Sequence, residues 1–177
     1  MTKSPIHAIF RAMPNYWLVK SEPNAFSIDA LAAKKEALWD GVRNYQARNF
    51  MMNDMKPGDL VLFYHSSSEP PGVAGIAEVS GAAEADPTQF DKKSEYYDEK
   101  ALRAKPIWYC VKLRFKQKFE RLVTLAEIRA EPRLNDMPLL RKGQRLSIQP
   151  VGKEEFALIA SIGFSGRPVA QGAPTVG

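Results

Sequence analysis

The chain has 177 residues, 45% of them hydrophobic and 25% charged, with a formal net charge of +5. That length suits one domain with a sizeable core, and no apolar run of about 18 residues is present to span a bilayer as a helix. Cys110 is the only cysteine, which excludes an internal disulfide and a multi-cysteine zinc site; its place in the apolar run Ile107 to Val111 marks a buried structural thiol.

Met1 to Asn15 reads as an N-terminal extension. Tyr16 to Lys20 predicts a strand that Pro23 ends, and Ser27 is placed to cap a helix from about Ile28 to Lys35. The stretch Trp39-Asp40-Gly41-Val42-Arg43-Asn44-Tyr45-Gln46-Ala47-Arg48-Asn49 then surrounds a glycine turn with stacking, hydrogen-bonding and charged groups. A second helix is expected from about Asn44 to Met55, with Tyr45, Phe50 and Met51 to Met52 at helical spacing and Lys56 to Asp59 as the closing turn.

Leu60 to Tyr64 predicts a buried strand, Ser66 to Gly72 a turn-rich loop, and Val73 to Val79 the returning strand of a hairpin. An acidic loop follows, and Trp108 to Phe119 alternates as one long half-buried strand. Thr124 and Glu127 have capping-box spacing, so a short helix is expected to start there and stop before Pro132. Leu146 to Ile148 predicts a short strand that places Arg145, Ser147 and Gln149 on one side. Lys153 to Ile162 predicts a closing helix with Gly163 as its stop, and 164–177 a disordered tail. The predicted class is α+β.

Charge is unevenly distributed. Acids dominate from Ser68 to Asp98, whereas from Val111 to Pro150 ten Lys and Arg face four acids. A positive side would attract phosphates in a salt-dependent way. The plainer account of Lys112, Arg114, Lys116 and Lys118 is the exposed face of an edge strand.

The mixture in the Trp39 stretch suits a planar, polar ligand such as a nucleobase, since rings and guanidinium planes stack on bases while Asn and Gln read their edges. The competing reading makes Trp39 a core residue, Arg43 and Arg48 a solvated helix face, and Asn44 a cap. Flanking this stretch are Tyr16-Trp17-Leu18-Val19-Lys20-Ser21-Glu22-Pro23, Phe63-Tyr64-His65-Ser66, Pro71 to Val79, and Gln144-Arg145-Leu146-Ser147-Ile148-Gln149-Pro150-Val151. Together these segments resemble the EVE family from about Tyr16 to Gly163. The resemblance implies a domain over 16–163 with a PUA-like fold, a mixed and strongly curved β-sheet or barrel flanked by short helices, similar to YTH and ASCH domains. It also implies recognition of modified bases in DNA or RNA, modified cytosines ahead of modified adenines.

The expected pocket draws on four segments: the end of the first strand, the Trp39 turn, the end of the Tyr64 strand and the Ser147 strand. Trp39 is the preferred stacking wall and Tyr64 the second aromatic candidate, while Trp17 is assigned to the core. Lys20, Ser21 and Asn44 are expected at the base edge or its modification, Arg43 and Arg145 at phosphates or the base face, and Ser147 and Gln149 at the remaining edge. Glu22 either accepts from an exocyclic amine or pairs with Arg43 or Lys20. His65 and Ser66 complete the ligand-binding set.

The base would have to leave the stack to enter such a pocket. Two other classes stand beside this one: an enzyme acting on a nucleobase, nucleotide or RNA, with His65 as acid or base and Glu22 or Asp40 as its partner, and an adaptor that binds protein through the basic face. No cofactor, metal or membrane partner is expected. The lack of a dense Lys and Arg cluster of the nuclear-import type favours a bacterial cytoplasm.

Overall fold

The computed structural model describes residues 14–165. The expected N-terminal extension, apart from Pro14 and Asn15, and the expected tail beyond Ser165 lie outside the described residues. In chain order the elements are β1 (Tyr16–Ser21), α1 (Ile28–Lys34), β2 (Glu36–Leu38), α2 (Tyr45–Asn49), β3 (Leu60–His65), β4 (Gly72–Val79), β5 (Glu84–Ala85), β6 (Tyr109–Cys110), β7 (Lys112–Thr124), α3 (Leu125–Ala130), β8 (Ile148–Val151) and α4 (Lys153–Ser165). Six strands form one sheet in the order β2-β7-β4-β3-β1-β8, curled into a half-barrel, and β5 pairs with β6 separately. β1 runs parallel to β3 and antiparallel to the edge strand β8.

Strand alternation divides the interior in two. Trp17, Val19, Val61 and Phe63 point to one face and pack against Ile28 and Leu31 of α1 and Ala47 of α2. Leu18, Leu62 and Tyr64 point to the other and pack against Ile128 of α3 and Phe156, Ile159 and Ile162 of α4. Each large side chain filled into these cores contributes about 1.5–3 kcal/mol. The Trp17 indole N–H donates to the buried Asp59 carboxylate at 2.9 Å, as befits a core tryptophan with one polar atom to satisfy.

Local signals place the helices well. The Ser27 hydroxyl accepts from the Ala30 N–H at the start of α1, and Thr124 and Glu127 form a reciprocal capping box on α3. Two strand expectations shift, each because a long-range partner decides. The predicted strand from Trp108 to Phe119 breaks at Val111, since Tyr109–Cys110 pairs with β5 while Lys112 onward pairs with β2 and β4. The last strand runs over Ile148–Val151 rather than Leu146 to Ile148, in register with Tyr16 to Val19. Pro150 is tolerated there because an edge strand leaves one side unpaired.

Gly163 is not a helix stop. α4 continues through Phe164 to Ser165, residues expected in the disordered tail, and the Phe164 ring packs edge-on against Phe119 at 5.0 Å. A Cβ on Gly163 would lie 2.3 Å from the Phe119 ring, so the glycine lets α4 lie directly on β7. Nor is β7 a wholly open edge: β4 pairs along it on one side, and β2 covers its first residues on the other.

Candidate nucleic-acid interface

The C-terminal ends of the parallel strands β1 and β3 lie side by side, with Ser21 opposite His65. The Ser66 N–H donates to the Ser21 carbonyl at 2.9 Å, the Ser67 hydroxyl to the Glu22 carboxylate at 3.3 Å, and the Lys20 N–H to the Ser147 carbonyl at 2.9 Å. The chain entering β8 therefore joins the same end of the sheet. The Trp39 turn reaches it through rings: Trp39 meets Phe63 edge-on at 5.5 Å, and Phe26 lies 6.3 Å from Trp39. The four expected segments do converge, but their side chains do not all face one space.

Lys20 pairs with Tyr64 and Leu18 with Gln149, so Lys20, Tyr64 and Gln149 belong to the Leu18 side, opposite Ser21, His65 and Phe63. Tyr64 is buried within the second core rather than offered as a stacking wall. Gln149 is buried too, its amide donating to the Leu146 carbonyl at 2.9 Å. Alternation along the strand sends these two side chains inward.

Trp39 is only 9% exposed and is packed into the first core, as its plainer reading expects. Asn44 likewise serves as the N-cap of α2, its side-chain oxygen accepting from the Ala47 N–H at 3.0 Å. Ser21 donates to the Phe26 carbonyl at 2.6 Å, and His65 Nε2 accepts from the Ile28 N–H at 3.1 Å, so both hold the connection from Glu22 to α1. Burial holds the His65 imidazole below its ordinary value, with Asp29 opposing and Lys118 reinforcing; the charges acting on it are those two rather than Glu22 or Asp40.

Arg43 is bound more completely than either sequence reading anticipates. Its guanidinium makes five hydrogen bonds, to Asp86, Thr88, the Val42 carbonyl and twice to the Tyr96 carbonyl, which engages every N–H it has. Asp86 is fully buried and lies 2.9 Å from Arg43. Burial pushes the Asp86 carboxyl up, but the Thr88 hydroxyl, Arg43 and the N–H groups of Gly41 and Thr88 outweigh it and hold the carboxyl below its ordinary value. Gly41 has φ +75, and a Cβ there would meet the Tyr96 ring at 2.8 Å. Arg43 is thus a positioning residue, closed to phosphate, that fixes the Trp39 turn to the acidic loop.

Glu22 is exposed and pairs with neither Arg43 nor Lys20 among the described residues; the Ser67 hydroxyl takes that place. Lys20, Ser66, Arg145 and Ser147 have no side-chain partner among the described residues, and burial lowers the Lys20 ammonium from its ordinary value. The thiol of Cys110 is buried and pushed up to about 12, which makes it inert.

The EVE domain model matches residues 15–162. The chain belongs to the EVE domain family. Thymocyte nuclear protein 1 of Danio rerio is 41% identical over 84% of this chain and 73% of its own length. A hypothetical protein from Leishmania major has a structure similar to this EVE domain, with TM-score 0.81, 48% identity, and 85% and 95% of the two chains covered. Human THYN1, solved in complex with DNA containing 5-methylcytosine, is 39% identical with TM-score 0.77 over 84% of this chain and 96% of that one. The PUA-like fold expected from the resemblance is the fold observed. Among the described residues no helix of this EVE domain is long and apolar enough to cross a membrane.

Two features escaped the sequence reading. The cations of β7 are largely neutralised, Arg114 by Glu36 at 3.6 Å, Lys116 by Glu78 at 2.9 Å and Lys118 by Asp29 at 2.8 Å. By contrast, Arg141, Lys142 and Arg145, on the exposed loop leading into β8, have no ion-pair partner among the described residues. Clustering within five positions was the available signal for Arg141 and Lys142, whereas Arg145 was already expected at a phosphate or the base face. The second feature is Tyr45, assigned to an apolar helix face by spacing but 60% exposed. The helix widens into a π-turn at Phe50–Asp54, and its buried face runs through Ala47 and Met51 instead.

Proposed function

We propose that this EVE domain is a non-catalytic module that binds DNA and selects a modified cytosine turned out of the stack. The observation that carries this reading is the likeness, at 39% identity and TM-score 0.77, to human THYN1 in complex with 5-methylcytosine DNA. The base enters where β1, β3 and the approach to β8 meet, and Glu22, Ser66 and Ser147 supply the polar groups for its edge. Lys20, Arg141, Lys142 and Arg145 hold phosphates, which fix the register without reading sequence. Trp39, Ser21, His65 and Arg43 shape the site from behind rather than touch the base. His65 then acts as a cap for α1, and the domain works in the cytoplasm.

Turning out one base costs a few kcal/mol, least for an unpaired one, so selectivity must come from contacts made after extrusion. The test is binding of short labelled oligonucleotides carrying cytosine, 5-methylcytosine, 5-hydroxymethylcytosine, adenine or N6-methyladenine, in DNA and RNA, at two salt concentrations. The reading expects one modified cytosine in DNA to be preferred by about tenfold, equivalent to ~1.4 kcal/mol. Removing Glu22 should abolish the preference, whereas removing Arg145 should lower affinity for all sequences and reduce the salt slope by about 1. Uniform binding that ignores the modification contradicts it. Salt-insensitive binding to a protein partner, or turnover lost in His65→Ala, would favour the adaptor or the enzyme.

A further inference from the structure

Across the surface beyond Gly41, aromatic rings and guanidinium groups alternate. The Arg43 guanidinium lies 5.5 Å from the Tyr96 ring and 5.2 Å from Trp108, and Tyr45 stacks on Trp108 at 4.8 Å with 26° between planes. Arg48 ends the row, 4.8 Å from Tyr45 and 5.9 Å from Trp108. Trp108 is a rigid base for it: 6% exposed, its indole N–H donates to Asp98 at 2.8 Å. Its backbone is fixed by Gln89, which is buried and engages the N–H and carbonyl of Trp108 at 2.9 and 2.8 Å.

Tyr45 presents the most open ring of this row, 60% exposed against 39% for Tyr96. The distances say which face is open. Were Arg48 and Trp108 on opposite faces of the Tyr45 ring, they would stand about twice as far from each other as each stands from the ring; at 5.9 Å they do not. Arg48 therefore stands beside Trp108 rather than across the ring from it, which with the 60% exposure leaves the Tyr45 ring with open surface away from Trp108. Arg48 makes three hydrogen bonds, two to the Asn49 side chain and one to the Ile107 carbonyl, which leaves an N–H on each terminal nitrogen for an anion beside the ring.

An open ring on a rigid aromatic support with an adjoining guanidinium matches a base and its phosphate. We infer that Tyr45 is a second stacking platform of this domain, taking an unpaired base of the DNA strand next to the selected cytosine while Arg48 takes the adjoining phosphate. The inference rests on the DNA-binding reading above. Tyr45 directly follows Asn44 in the connection that carries the Trp39 turn, the segment that backs the first site.

The test uses a single-stranded oligonucleotide with 5-methylcytosine flanked by 2-aminopurine, whose fluorescence falls when it stacks. Wild type and Tyr45→Trp should quench the probe, and Tyr45→Ala should restore its emission and bind about tenfold more weakly. The ratio of modified to unmodified affinity should stay that of wild type. Tyr45→Trp keeps a ring over Trp108 and separates lost stacking from lost folding. If Tyr45→Ala binds and quenches like wild type while preferring the modified base, this inference fails and the reader assignment stands. If wild type binds no DNA, both fail together.

Discussion

Two neighbouring regions handle polar groups in opposite ways. Around Arg43, Asp86 and Gln89, buried donors and acceptors are matched: the guanidinium is fully engaged, and the Gln89 amide makes four bonds to the backbone of Asp86, Ile107 and Trp108. At the end of β1, β3 and the approach to β8, Lys20, Ser66, Arg145 and Ser147 have no side-chain partner among the described residues. A matched network cannot rearrange to meet a ligand without leaving a buried group unpaired, which is costly. The first region therefore holds shape, and the second has capacity to bind. Arg43 looked like the natural phosphate ligand in sequence and is the residue least able to become one.

The sharpest way to break this contrast is Asp86→Ala, which strands the Arg43 guanidinium in a half-closed site. It should destabilise the fold by about 3–5 kcal/mol in chemical denaturation, and a loss below 1 kcal/mol would mean the network is dispensable. Gly163→Ala comes next: the added methyl group meets the Phe119 ring, and overpacking should cost about 1–3 kcal/mol while the binding surface is untouched.

A smaller effect is expected from pH. The folded imidazole of His65 is held below its ordinary value by burial, so the unfolded chain takes up the proton first. The cap His65 gives α1 is complete above about pH 6.5 and is lost as pH falls through the lower, folded value. His65→Gln, which keeps an acceptor, should remove that part of the acid destabilisation in thermal melts. Smallest in stability are Lys142→Ala and Arg145→Ala, expected to change the unfolding free energy by less than about 0.5 kcal/mol while weakening DNA binding. A binding loss confined to Arg43 variants would reverse the contrast.

What was legible in the sequence followed the range of the interaction. Ser27, Asn44 and Thr124 bond N–H groups three residues away, so their caps could be read from local spacing. Trp17 and Cys110 were legible as core from the apolar runs around them. Arg43 was not, because its partner Asp86 lies 43 positions along the chain, inside a segment that reads as a solvated acidic loop. Gly163 looks like a helix end until Phe119 is seen against it. Tyr64 and Gln149 were misplaced because the strand face they share with Leu18 is turned into the second core, and alternation alone does not say which face is covered. Tyr45 was hidden because the helix buries the face of Ala47 and Met51 and not the one Tyr45 occupies.

The most direct test of the central assignment is a competition titration of one DNA oligonucleotide with and without a methyl group on its single cytosine, against wild-type protein at physiological salt. The account predicts that the methylated strand competes about tenfold better. Equal competition by the two strands would contradict it and leave a salt-dependent DNA binder with no reading of the base.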